Sequence, residues 1–378
     1  MLFSTLQAQK NMYDYIKLGK FSVGLMDTLL LDSNYQYEAY NYQGHKPYFV
    51  QIWHPLRQKN QNEELLKLSD FFAVETKDEL LTVRTQLIKH YQEAIIRDCI
   101  EENWLSGELN DFSKYTFEDI FKLIITETTM QSARSKEIAT SQFPVIIYHH
   151  GAQSSSFENF AMAEYFASHG FIFIAANFHL PYENTLFGLK PFDKIVKNEE
   201  EQSLRAIFKL AQSLSGTQPI FFIGHSLGAQ MGFRTFDQET NLKGFISLET
   251  TIEFKTDQEK IKEMWAEVFQ KIAIEKANYP FPVLLCAATG EEKPFAFFEN
   301  LNAYRTVFAP TKETFEHNAY LSIFYLRLFI KNDIVQTDKE ILQDNLLLYA
   351  KHLKLMHEFI LDIIYQRNKP NREVKLLK

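Results

Sequence analysis

The stretch Phe221–Gly232 reads FFIGHSLGAQMG and sets Gly224, Ser226 and Gly228 in G-x-S-x-G spacing. In a chain with only 13 glycines among 378 residues, roughly 0.02 such matches are expected by chance. A greasy run precedes the serine and a helical pattern, AQMGFRTF, follows it. In that setting the two glycines let strand turn sharply into helix, because neither carries a Cβ into the close approach. Ser226 Oγ would then project from the turn. The Leu227 N–H would lie at a helix N-terminus, where it can donate to a developing oxyanion.

A serine hydroxyl is a weak nucleophile at neutral pH, so it needs a base, and the base needs an orienting carboxylate. Three histidines follow the serine: His317, His352 and His357. The last two fall in the helical pattern KHLKLMHEF, whereas His317 sits in the polar loop TKETFEHNAYLS, after the apolar segment RTVFAP. His317 is therefore the expected base. Two placements are open for the acid: Glu249, which ends KGFISLE, and the pair Glu291 and Glu292, which follow the next strand in CAATGEE. A second oxyanion donor is expected from the loop in which PVIIYHHG runs into AQSSSFENF, namely the Ala152 N–H beside Gly151. His149 and His150 are adjacent, so on a strand they point to opposite faces and do not form a chelating pair. They read as packing or loop-shaping residues, His225 as structural, and serines 154–156 as the start of a helix.

These residues need a frame that brings loops together at one edge. Short, nearly continuous apolar runs recur: FSVGLMDTLLL (21–31), PYFVQIW (47–53), PVIIYHH (144–150), GFIFIAA (170–176), PIFFIG (219–224), KGFISLE (243–249) and PVLLCAA (282–288). Runs of this kind are expected of strands covered on both faces. Between them lie the helical patterns ENFAMAEYFASHG (158–170) and EEQSLRAIFKLAQSLSG (200–216), each closed by a glycine suited to a C′ stop. The alternation predicts an α/β fold with a doubly wound, mostly parallel sheet, as a single domain over residues 1–378.

Residues 58–140 break the rhythm as a helical insertion. A capping box, Thr76 to Glu79, opens a stripe of Leu80, Val83, Leu87, Tyr91, Ile95 and Cys99, and a further helix is expected from Thr116 and Asp119. Packing against the sheet is preferred to a lid. A second helical insertion, 252–278, carries Ile261, Met264, Trp265, Val268, Phe269 and Ile272 and follows a strand end, so it is expected near the site. A last helix spans roughly 338–366.

Composition excludes other classes. The net charge of −8 comes without a basic block with interleaved aromatics, so no nucleic-acid partner is expected. Cys99 and Cys286 give neither a metal-ligand spacing nor a disulfide framework. No apolar run reaches the roughly 18 residues of a membrane span; the longest, AYLSIFYLRLFI (319–330), contains Arg327. The segment LFSTLQAQ (2–9) reads as a frayed terminus of a cytoplasmic protein, or as the tail of an export signal if the true start lies upstream.

With those motifs in place, the chain resembles the α/β-hydrolase superfamily, and within it the branch of platelet-activating-factor acetylhydrolases and dienelactone-hydrolase-like esterases. The matching pieces are FSVGLMDTLLLDSN with VQIWHP, VIIYHHG, FASHGFIFIAANFH, FFIGHSLGAQ, FISLE and FEHNAYLS, spanning about 20–325 without the insert 58–140. The resemblance implies a carboxylic ester hydrolase acting on a small-molecule ester, with Ser226 as nucleophile, His317 as base and no cofactor or metal. Acetylhydrolase-like members take their acid from the end of the sixth strand, which implies Glu249. Ala152 and Leu227 would supply the oxyanion donors. Two departures stand out: glutamate where aspartate is usual, and HHGAQ in place of a glycine-richer loop. A dienelactone hydrolase proper would carry cysteine at the nucleophile position. A non-catalytic member binding a hydrophobic ligand or a partner, and an amidase or peptidase using the same triad, are the alternatives.

Overall fold

The computed structural model describes residues 12–56, 64–72, 78–100, 118–119, 122, 128–135, 137–138, 142–152, 154–180, 194–288, 294–311, 315–326 and 339–377, with the side chains of 78, 93–100, 194–200 and 339–341 outside the description. The segment LFSTLQAQ, Thr76 and most of the helix expected from Thr116 lie outside the described residues.

The strands are β1 (Ser22–Ala39), β2 (Tyr42–Leu56), β3 (Leu65–Lys67), β4 (Thr129–Arg134), β5 (Val145–His149), β6 (Ile172–Ala176), β7 (Ile220–His225), β8 (Leu242–Leu248), β9 (Tyr279–Ala288), β10 (Ala303–Thr311) and β11 (Arg372–Val374). They form one sheet in the order β11-β10-β9-β8-β7-β5-β6-β2-β1-β4-β3. From β6 to β11 every neighbouring pair is parallel, and β2 joins β6 antiparallel. β1 and β2 form a long hairpin whose two loop residues, Tyr40 and Asn41, have φ of 53° and 63°, the mirror-image turn that matches strand twist.

Every residue of β5, β6 and β7 is buried, and alternate residues feed two separate cores. Ile146, Tyr148, Phe173, Phe221 and Ile223 face one side. Val145, Ile147, Ile172, Ile174, Ile220 and Phe222 face the other. Helices must therefore cover both faces, since continuously apolar strands cannot leave either face to water. On the first face lie α1 (Leu81–Ile100), α2 (Phe160–Ser168) and, after intervening helices, the terminal helix α7 (Lys339–Ile364). The second face is covered by α3 (Lys194–Ser215), α4 (Leu227–Thr235), α5 (Gln258–Met264) and α6 (Ala266–Phe269). Gly170 and Gly216 have φ of +94° and +60° at the ends of α2 and α3, the left-handed stop expected of a C′ glycine.

The insert 58–140 contains more than helix. Leu80, Val83, Leu87 and Tyr91 are buried on the body as a stripe, and β3 and β4 extend the sheet beyond β1. In 252–278, Ile261, Val268 and Ile272 are buried but Met264 is 66% exposed. The helix breaks at Trp265 (φ −132°, ψ 49°), which rotates the stripe before α6 begins. In α7, Leu346, Leu353, Met356 and Ile360 are buried.

The chain steps from β5 to β6 on one side and returns to β7 on the other. That reversal makes the carboxyl ends of β5 and β7 a switch point, where an open α/β sheet leaves a crevice.

Candidate active site

Ser226 sits at that switch point, between β7 and α4, with φ 52° and ψ −119°. A non-glycine residue there costs on the order of 1–3 kcal/mol, and the surroundings enforce it. A Cβ on Gly224 would lie 2.5 Å from Ala229 N, and one on Gly228 would lie 2.2 Å from the His149 carbonyl oxygen. Strand, turn and helix are thus packed backbone to backbone, and Ser226 is pushed outward to a partly exposed position. Its N–H donates to the Leu248 carbonyl at 3.3 Å, which ties the turn to the end of β8.

Glu249 is the next residue, at φ 56°, and is 1% exposed. Its Oε2 accepts the Ala288 N–H at 2.7 Å, and its Oε1 accepts from His317 Nδ1 at 2.7 Å. Residues 68 positions apart meet in that bond, and the partly exposed His317 ring thereby carries its proton on Nδ1, leaving Nε2 without one. Glu291 and Glu292 lie outside the described residues. His352 and His357 belong to α7. His352 is buried, donating Nδ1–H to Leu348 O and meeting the Thr311 hydroxyl at Nε2, each at 2.8 Å.

His225 joins the Ser226 turn to His317. Its Nε2–H donates to the His317 carbonyl at 3.1 Å, and the two rings stand 4.6 Å apart. No hydrogen bond joins the Ser226 hydroxyl to the His317 ring in this arrangement.

Gly151 closes the other wall. A Cβ there would meet His225 Nδ1 at 2.9 Å and Ser226 Cβ at 3.4 Å, so only glycine lets this loop lie against the serine. Its N–H is taken by Glu158 Oε1 at 3.1 Å. Ala152 is exposed one residue further, and among the described residues its N–H has no acceptor. Leu227 and Gly228 open α4, where N–H groups have no intrahelical acceptor. His149 and His150 shape this loop. His149 stacks on Phe178 at 3.7 Å and donates to the His150 carbonyl; His150 donates to Gly151 O and accepts the Phe178 N–H. Burial lowers the pKa of both and of His225, which suits neutral rings with those roles. Among the described residues no group of three His, Cys, Asp or Glu could hold a metal ion.

A buried polar network that no motif announced supports the loops. Glu158, 1% exposed, accepts from Tyr148, Ser154 and Gly151, and burial raises its pKa. Asn159 donates to Tyr148 Oη at 2.8 Å, and its Oδ1 accepts from Ser322 N at 3.1 Å and Tyr349 Oη at 3.2 Å. Since Ser322 follows the 3₁₀ turn His317–Tyr320, the His317 loop is fastened to both α2 and α7.

Ferulic acid esterase from Streptomyces cinnamoneus superimposes over 93% of this chain and 92% of its own, with TM-score 0.55 and 12% identity. The fold is the α/β-hydrolase fold. Looser likenesses are Est1E of Butyrivibrio proteoclasticus with bound ferulic acid (TM-score 0.37, 17% identity, 60% of this chain and 92% of that one) and a soluble variant of monoglyceride lipase from Saccharomyces cerevisiae (0.39, 10%, 60% and 88%). No family model and no curated protein matches the chain. At these identities the likeness speaks to the fold alone. Among the described residues no helix is long and apolar enough to cross a membrane.

Proposed function

We propose that the protein is a serine hydrolase that cleaves a carboxylic ester through an acyl-enzyme. The observation that carries this reading is the 2.7 Å bond from His317 Nδ1 to the buried Glu249 carboxylate, formed beside a serine held at φ 52°. Ser226 Oγ attacks the ester carbonyl while His317 Nε2 takes its proton. Glu249 stabilises the resulting imidazolium without itself being protonated. The Leu227 and Ala152 N–H groups receive the oxyanion, a contribution of about 100- to 1,000-fold per donor in rate. The imidazolium then protonates the leaving alcohol, and water activated by the same histidine frees the acid and restores Ser226.

The acid stands at the end of β8, on the strand after the nucleophile strand. This supports the acetylhydrolase-like branch within the wider fold, and the esterase named among the fold relatives is in keeping with an ester as substrate. Ser226→Ala is expected to abolish turnover of p-nitrophenyl butyrate while leaving the melting curve nearly unchanged, and a fluorophosphonate probe is expected to label the unaltered protein at Ser226 alone. Wild-type turnover in Ser226→Ala rejects the assignment. Absence of the adduct favours a non-catalytic binder, and faster cleavage of the matched amide than of the ester favours an amidase.

A further inference from the structure

Two buried carboxylates stand six residues apart, and only one of them meets a loop of the site. Glu164 on α2 is 0% exposed and accepts from Tyr13 Oη, Ser132 Oγ and the Gln131 N–H, so it ties the N-terminal segment and β4 to the body. Glu158 lies two residues before α2 and meets the same kinds of donor, Tyr148 Oη, Ser154 Oγ and the Gly151 N–H. Two of these belong to the loop from β5 to α2, the one that lies against Ser226. Three donors directed at two oxygens suit an ionised carboxylate. Burial raises the pKa of Glu158, while those hydrogen bonds and the His317 charge draw it back.

The Gly151 bond governs which amide this loop presents. Gly151 has no room for a Cβ between its own backbone and His225 and Ser226, and its N–H is held by Glu158 Oε1 at 3.1 Å. The next N–H, that of Ala152, is left without an acceptor among the described residues. Removing the carboxylate would leave the Gly151 N–H a buried donor in search of a partner. A peptide that turned to find one would take the Ala152 N–H with it.

The main chain of Glu158 reaches the opposite loop. Its carbonyl accepts the Ile323 N–H at 3.0 Å, next to the Ser322 N–H that Asn159 holds. His225 stands between the two loops, its Nε2–H on the His317 carbonyl and its Nδ1 3.9 Å from Glu158 Oε1. The Ser226 turn, the Gly151 loop and the His317 loop thus converge on one residue.

We propose that Glu158 is the positioning residue of the oxyanion loop: its carboxylate holds the Gly151 N–H inward so that the Ala152 N–H is presented to the ester carbonyl, while its backbone carbonyl keys that loop to the His317 loop. The proposal rests on the ester-hydrolase reading of Ser226, and its test separates the two. Glu158→Met fills the same space without a carboxylate. It is expected to lower kcat for p-nitrophenyl butyrate by about 100- to 1,000-fold, the effect of one oxyanion donor, with KM within about threefold. Glu158→Gln keeps an oxygen for the Gly151 N–H, and the Ser154 and Tyr148 hydroxyls can turn to accept from its NH2, so kcat should stay within about tenfold of wild type. Glu164→Met is the control for burial: its melting temperature should fall by a similar amount while kcat stays within about threefold. A kcat within about threefold of wild type in Glu158→Met, equal losses in Glu158→Gln and Glu158→Met, or an equal loss in Glu164→Met overturns the proposal. Where Glu158→Met does not fold, Glu158→Asp replaces it, since its carboxylate is drawn back from Gly151 by one methylene; a kcat loss of about tenfold or more supports the proposal and a smaller one overturns it. If the wild-type protein cleaves no ester, the esterase reading fails by itself, and amide hydrogen exchange of the intact proteins decides whether Glu158 holds the loop. Faster exchange over residues 151–157 in the folded Glu158 variant, but not in Glu164→Met, supports it. Exchange there equal to wild type overturns it.

Discussion

Glu249→Gln is the substitution that tests the triad most sharply, because the two replace each other almost atom for atom. The carboxylate uses both oxygens as acceptors, Oε1 from His317 Nδ1 and Oε2 from Ala288 N–H, each at 2.7 Å. An amide has one oxygen and one NH2. With the oxygen toward Ala288, the NH2 faces His317 Nδ1 and drives the ring proton to Nε2, so the base can no longer take a proton from Ser226. With the oxygen toward His317, NH2 and the Ala288 N–H oppose each other in a site 1% exposed, at about 1–3 kcal/mol for the unmade bond. The first arrangement avoids that cost and is the one expected to dominate. The wrong tautomer and the missing negative charge together should lower kcat by about 1,000- to 10,000-fold, equivalent to roughly 4–5 kcal/mol of barrier. The measurement is initial-rate hydrolysis of p-nitrophenyl butyrate, with the melting temperature as control for folding. A Glu249→Gln protein that melts normally and stays within about tenfold of wild-type kcat would falsify the role given to this carboxylate.

Gly228→Ala drives a Cβ to 2.2 Å from the His149 carbonyl oxygen; backbone must move, and thermal denaturation should reveal about 1–3 kcal/mol or more of lost stability together with lost activity. Glu253 is buried and accepts from Ser247 and Thr250 hydroxyls; burial first, and the Glu249 charge after it, raises its pKa from 4.5 to about 7. The folded protein thus holds this proton more tightly than the unfolded chain, so stability falls as pH rises from about 4.5 to about 7 and is level above, by on the order of 3 kcal/mol. Glu164, also raised to about 7 by burial, titrates in the same window. Glu253→Gln should therefore flatten only part of the decline in melting temperature between pH 5 and 8, and an unaltered slope refutes the assignment.

The parallel core was legible because its central strands are almost continuously apolar, a pattern that few other settings allow. Ser226 was legible for a related reason: a strand–turn–helix packed this closely needs glycine at both Gly224 and Gly228, and so leaves a mark in spacing. Short strands toward the two margins of the sheet leave no such mark. β3, β4 and β11 are three to six residues long and mixed in polarity, and their pairing follows from where the sheet ends, not from local pattern. The choice between Glu249 and Glu291 or Glu292 depends on which strand end faces His317, which spacing alone left open. The Asn159–Ser322–Tyr349 network joins segments up to 190 residues apart and is equally silent in sequence.

The anchoring of the His317 loop to α7 has a consequence for how the protein comes into being on the ribosome. Translation delivers N-terminal segments first, so β5 to β8 and the Ser226 turn emerge well before residues 339–364 can supply Tyr349. Until that helix leaves the exit tunnel and docks, the His317 loop lacks its Tyr349 anchor. A nascent chain stalled short of it would present the formed Ser226 turn beside a His317 loop fastened to Asn159 but not to Tyr349.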